Sequence, residues 1–127
     1  MSVWPGLIYR DAEAARVFLT EVFGFAEALT VRDDEDPNRI VHAELTWPEG
    51  GGVMYGSGGN HTDYPQPEPG TQWLYVSTED PKAVHDRAVA AGAKVVAELG
   101  KTDYGSLNVG IADPEGNVWT FGTYQGA

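Results

Sequence analysis

The chain has 127 residues, enough for one compact domain that buries roughly two thirds of its unfolded surface. It holds no Cys, which excludes disulfides, iron–sulfur clusters, thiol catalysis and Cys-type zinc sites, and no apolar run approaches the roughly 18 residues of a membrane span. Nineteen Asp and Glu against eight Lys and Arg give a net charge of -11, which repels phosphate backbones, argues against nucleic acid as a partner and favours cationic ones.

The N-terminus lacks the basic-then-apolar pattern of a secretory signal, so the cytoplasm is the expected compartment. An extended segment over Val3 to Tyr9 leads into a first helix. Asp11 is its N-cap, Ala15, Phe18, Leu19 and Val22 repeat at helical spacing, and Gly24 follows its end, which predicts a helix over 12–23. Strand-like stretches follow, interrupted by the acidic run Asp33 to Asp36. That run lacks the spaced ligands and the Gly of a calcium loop, and reads as a solvated loop.

Ser57 to Gly70 is rich in Gly, Pro, His and Asp and ends in a stiff Pro-containing stretch, so it reads as a linker. Beyond it, Gln72 to Thr78 is extended. Asp80 caps a second helix over 81–91, with Pro81 at its first position and Val84, Ala88 and Ala91 as its apolar stripe before Gly92. His85 on this helix reads as solvated, and His61 falls in the linker.

Both halves end alike. Trp47-Pro48-Glu49-Gly50 before Val53-Met54-Tyr55-Gly56 overlays Asp113-Pro114-Glu115-Gly116 before Trp119-Thr120-Phe121-Gly122. Pro and Gly at these positions suit a tight turn. The turns stand 66 residues apart and Gly24 and Gly92 stand 68 apart, which points to an internal duplication with a small loop indel. The expected organisation is a single domain over 1–127: module 1 over about 1–58, a linker over 57–70, and module 2 over about 71–127.

Leu7-Ile8-Tyr9-Arg10-Asp11-Ala12, Phe18-Leu19 and Phe23-Gly24-Phe25 resemble the opening of the vicinal oxygen chelate superfamily. His42-Ala43-Glu44-Leu45, Ala90-Ala91-Gly92-Ala93, Tyr104-Gly105 and Asp113-Pro114-Glu115-Gly116-Asn117 are similar to its glyoxalase/bleomycin-resistance branch. The resemblance spans nearly the whole chain. It implies an α+β fold of two βαβββ modules whose sheets form an open, curled, barrel-like wall around a ligand cavity. It also implies a homodimer, since members of the superfamily often dimerise and small modules leave sheet edges for a twofold partner to cover.

Metal-dependent members present His, Gln or Glu donors from the first strand and the end of each module. Here those positions fall on Trp4, Met54, Trp73 and Thr120. Indole N–H does not coordinate, a thioether suits soft metals, and a threonine hydroxyl is a weak neutral ligand. No metal and no cofactor are therefore expected.

Aromatic surface stands where the metal shell would be. By strand alternation Trp4, Gly6 and Ile8 share one face, and Trp73, Tyr75 and Ser77 share another. Such rings offer stacking area for planar or cationic ligands, or they simply fill a barrel. Trp119 and Phe121, of opposite parity, read as core. His42 and Glu44 share a strand face, with Asn108 and Gly110 as counterparts in the second half. The pair suits a ligand contact, an acid–base group or a polar sheet face.

The candidate ligand-binding set is thus Trp4, Ile8, His42, Glu44, Met54, Trp73, Tyr75, Tyr104 and Thr120, with no catalytic residue assigned. The expected function is metal-independent binding of a small aromatic or cationic molecule, such as an antibiotic to be sequestered. The alternative is a lyase, isomerase or dioxygenase of the same superfamily with non-standard metal ligands or a metal-free acid–base site.

Overall fold

The computed structural model describes residues 3–59 and 65–127; His61 and the middle of the expected linker lie outside the described residues. Module 1 runs β1 (Gly6–Tyr9), α1 (Ala12–Phe18), one π-helical turn (Leu19–Phe23), β2 (Ala26–Arg32), β3 (Ile40–Thr46) and β4 (Gly52–Ser57). Module 2 repeats the order with β5 (Trp73–Ser77), α2 (Pro81–Ala90), β6 (Lys94–Lys101), β7 (Leu107–Ala112) and β8 (Val118–Gly122). Each module forms its own four-stranded sheet, ordered β1-β4-β3-β2 and β5-β8-β7-β6. The first strand runs parallel to the last, because a helical crossover separates them in sequence. This is the expected α+β duplication, as two curled sheets with no closed barrel.

The caps stand where the sequence places them. The carboxylates of Asp11 and Asp80 accept hydrogen bonds from the backbone N–H of Ala14 and Ala83, each at the third helical position. The first helix departs from expectation in its last turn, which widens to π geometry. Thr20 Oγ1 donates to the Arg16 carbonyl at 2.8 Å, and Arg87 of α2 donates to the carbonyls of Val22 and Phe23 at 3.0 and 2.8 Å. Arg87 thus serves two carbonyls at the helix end, which have no donor within the helix, and the wide turn buries Leu19, Val22 and Phe23 together. Ala91 is a correction: it closes α2 as an exposed C-cap, outside the apolar stripe. His85 is partly covered and bonds to Asp86 at 3.0 Å.

One hydrophobic core serves both modules and lies on the helix side of the sheets. Phe23 packs on Trp119 and Phe121 with ring centroids 5.4 and 4.8 Å apart, and Phe25 packs on Trp47 at 4.9 Å. Each such fully buried ring contributes about 2–3 kcal/mol relative to exposure.

The repeated Pro-Glu-Gly turns supply polar clasps between the modules. Glu115 accepts from the backbone N–H groups of Arg10 and Asp11 at 2.7 and 2.8 Å. Reciprocally, Glu49 accepts from Thr78 Oγ1 at 2.7 Å and from the Glu79 N–H at 3.0 Å. Buried Asp113 accepts from Tyr9 Oη at 2.6 Å, Asn117 Nδ2 at 2.9 Å and Trp119 Nε1 at 3.1 Å, joining β1 to the second module. With the helical sides locked together, the opposite face of each sheet is left outward.

Candidate functional site

Strand register sorts the candidate residues onto those two outward faces. On module 1, Gly6 pairs with Met54 and Met54 with Glu44, while Ile8 pairs with Gly56. Across β2, Leu29 faces Glu44 and Val31 faces His42. Ile8, His42, Glu44 and Met54 therefore share one face. Trp4 precedes β1 and its indole lies over Gly52, where a β-carbon would stand 2.6 Å from the ring. A shallow pocket of about 260 Å³ on this face is lined by Ile8, His42, Met54, Pro65, Gln66 and Pro67 among others.

Module 2 presents Trp73, Tyr75 and Thr120 on the corresponding face, with Tyr75 opposite Thr120 and Thr120 opposite Gly110. Trp73 is 72% exposed, yet its Nε1 donates to Thr120 Oγ1 at 2.9 Å. Tyr75 is 38% exposed and its hydroxyl donates to the Tyr124 carbonyl at 2.6 Å; burial raises its phenol above the ordinary value. Tyr104 is 65% exposed and stacks edge-on against Tyr124 with centroids 5.6 Å apart. The polar atoms of Trp73 and Tyr75 are thus satisfied by the protein, and what faces outward is ring surface. A preoriented ring loses little entropy on stacking against a ligand.

Among the described residues the nine candidates fall into two groups, on or beside the outward faces of two separate sheets. A second groove, about 680 Å³, runs along β1 and β5 and takes in Trp73 and Tyr75 with the core rings Phe25, Trp47 and Trp119. Neither Trp4 nor Met54 lines it. Two features of the second face escaped the sequence reading. Tyr124 lies beyond the last strand, where alternation gives no signal. Gly122 has no side chain, so Asn108 and Tyr75 converge over it, a crowding that the pairing of Asn108 with Gly122 places there.

His42 Nε2 and Glu44 Oε2 stand 2.8 Å apart, with the side chains 41% and 31% exposed. The acidic loop is a local turn, in which Asp33 Oδ1 accepts from the N–H groups of Glu35 and Asp36 at 2.8 and 3.2 Å.

Residues 3–121 match the Glyoxalase/Bleomycin resistance protein/Dioxygenase superfamily, and the chain belongs to it. TioX from Micromonospora sp. ML1 is similar at 28% identity, over 95% of this chain and 98% of its own, with a TM-score of 0.74. A glyoxylase/bleomycin resistance protein/dioxygenase domain from Frankia sp. EAN1pec shares the fold at 20% identity, over 96% of this chain and 95% of its own, with a TM-score of 0.73. Lactoylglutathione lyase from Agrobacterium tumefaciens does so at 19% identity, over 95% and 92%, with a TM-score of 0.68. A search of curated proteins found none that matches the chain.

The divalent ion of metal-dependent superfamily members does not fit the residues at its positions. Trp4 and Trp73 offer indoles, Met54 a thioether, and the Thr120 hydroxyl already accepts the Trp73 N–H.

Proposed function

We propose that this protein is a cytoplasmic, metal-independent binder of a planar aromatic small molecule, held between the module 1 face of one copy and the module 2 face of a second. The observation that carries this reading is the outward aromatic face of module 2, with Trp73 and Tyr75 held in place by hydrogen bonds that leave their rings free. The shared helical core and the Glu49 and Glu115 clasps support the dimeric part, since they keep the two faces of one chain on separate sheets. A twofold dimer would place each face against its complement and make two equivalent sites. Sequestration of an aromatic antibiotic is the use such a site suits best.

The test is native mass spectrometry together with titration of an aromatic panel followed by tryptophan fluorescence. Dimers, and saturable binding that Trp73→Ala removes, are the expected result. A monomer at tens of micromolar, or stoichiometric nickel, zinc, iron or manganese that Glu44→Gln removes, would refute the proposal. A metal-free acid–base enzyme has one observation in its favour, the His42–Glu44 contact. Turnover of a bound compound that stops in Glu44→Gln would establish that reading instead.

A further inference from the structure

We propose that Asn108 is a hydrogen-bond donor of the ligand site and selects a planar ligand that carries an uncharged carbonyl at its ring edge. The inference rests on the ligand-binding reading above, and adds the functional group the ligand must present.

In module 1 the His42 ring is bonded to Glu44, two residues along the same strand face, at 2.8 Å. Their counterparts in module 2 are Asn108 and Gly110, so the second copy keeps a nitrogen donor and loses the carboxylate that would occupy it. Asn108 pairs with Gly122 of β8, and its amide lies over that glycine. A β-carbon at Gly122 would stand 3.0 Å from Asn108 Cγ and 2.6 Å from Tyr75 Oη, which puts the amide at the tip of the Tyr75 ring. Gly122 does not have a left-handed φ, so it is the space above it, not its backbone angle, that calls for glycine.

Hydroxyl groups fix which way the amide points. The Leu107 N–H donates to Thr123 Oγ1 at 3.0 Å, and the Tyr124 N–H donates to Ser106 Oγ at 3.1 Å. Ser106 Oγ stands 2.5 Å from the Asn108 amide, a separation that suits O–H···O and is too short for N–H···O. The oxygen end of the amide therefore faces buried Ser106 and accepts its proton. The nitrogen end points away, and among the described residues Nδ2 donates to nothing. Trp73 and Tyr75 spend their own donors inside the protein, so a flat ring laid on them meets the Asn108 N–H groups at its edge. A carbonyl there takes the hydrogen bond, whereas a plain hydrocarbon strips water from the N–H and returns nothing. An anionic acceptor is disfavoured by the net charge of -11.

The experiment compares 1-methyl-2-quinolone, which carries a ring carbonyl, with 1-methylnaphthalene, which has two fused rings and no acceptor. Each is titrated by tryptophan fluorescence into the full-length protein and into Asn108→Leu and Asn108→Asp, with circular dichroism confirming the fold. The wild type is expected to bind the quinolone about three- to tenfold more tightly than the hydrocarbon. Asn108→Leu, similar in size but without a donor, should abolish that preference by weakening the quinolone alone. Asn108→Asp keeps the bond from Ser106 and replaces the N–H groups by oxygen, so it should weaken the quinolone at least as much. In the wild type the Asn108 side-chain amide protons should move downfield with the quinolone and not with the hydrocarbon in a heteronuclear correlation spectrum, a readout that needs no variant. Equal binding of the two probes by the wild type, a preference that survives in either variant, or Asn108 amide protons that do not move downfield with the quinolone overturns the selection while leaving aromatic binding intact. Failure of both probes to bind the wild type overturns the binding reading and this inference together.

Discussion

Alkaline unfolding offers a quantitative test of the contacts between the modules. Tyr9 is fully buried, and burial followed by the adjacent Asp113 carboxylate raises its phenol far above the ordinary value. Tyr55 is also buried, with no hydrogen-bond partner for its hydroxyl among the described residues, and burial followed by the charge of Glu27 pushes it up to about 12. Both phenols stay protonated in the folded protein while the unfolded chain ionises near pH 10. Above that pH the native state binds more protons, so stability that is complete below pH 10 is lost as pH rises. From pH 9 to 11 each phenol costs about 1.4 kcal/mol, or about 2.7 kcal/mol for the two. Tyr9→Phe removes one phenol and its bond to Asp113, which lowers stability near neutrality by about 1.5–3 kcal/mol. It should at the same time halve the alkaline loss. Urea titrations at pH 7, 9 and 11, followed by circular dichroism, measure both effects. Other titrating groups are common to the two proteins and drop out of the difference. If Tyr9→Phe loses as much stability between pH 9 and 11 as the wild type, the buried Tyr9–Asp113 contact is not what joins the modules.

The clasps make their own prediction: Glu115→Gln should cost about 0.5–1.5 kcal/mol in urea titration, because an amide accepts at one atom only and cannot take both backbone donors of the other module. Glu49→Gln should cost less, being more exposed, and the two losses should add in the double variant if the clasps act independently. Trp73→Ala should change stability by no more than about 0.5 kcal/mol, since the ring is mostly exposed, while weakening 1-methylnaphthalene binding at least about tenfold. A large stability loss without a binding defect would identify Trp73 as filler. Gly122→Ala would drive a methyl group into Asn108 and the Tyr75 hydroxyl; it should destabilise by about 1–3 kcal/mol and alter the tyrosine signal in near-ultraviolet circular dichroism.

Much of this architecture is written locally. Asp11, Asp80, Pro81 and the paired Pro-Glu-Gly turns act within a few residues of themselves, so the helices, turns and duplication follow from short-range chemistry that a sequence displays. Strand alternation likewise assigned Trp119 and Phe121 to the core and put His42 with Glu44, because the side-chain period of a strand is independent of its partners. The chemistry of Trp4, Met54, Trp73 and Thr120 as metal donors also needs only their identities. The π turn was different, since its carbonyls are held by Arg87, 64 residues or more away.

The same limit governs the site. Alternation shows which residues share a face, but not what covers that face, and the answer depends on contacts between residues about a hundred positions apart. Tyr9 with Asp113 and Arg10 with Glu115 lock the helical sides together, and so leave the faces of Trp73 and His42 outward on separate sheets. Only the tertiary structure decided this, because the energy of joining two modules resides in groups that acquire meaning when both are folded.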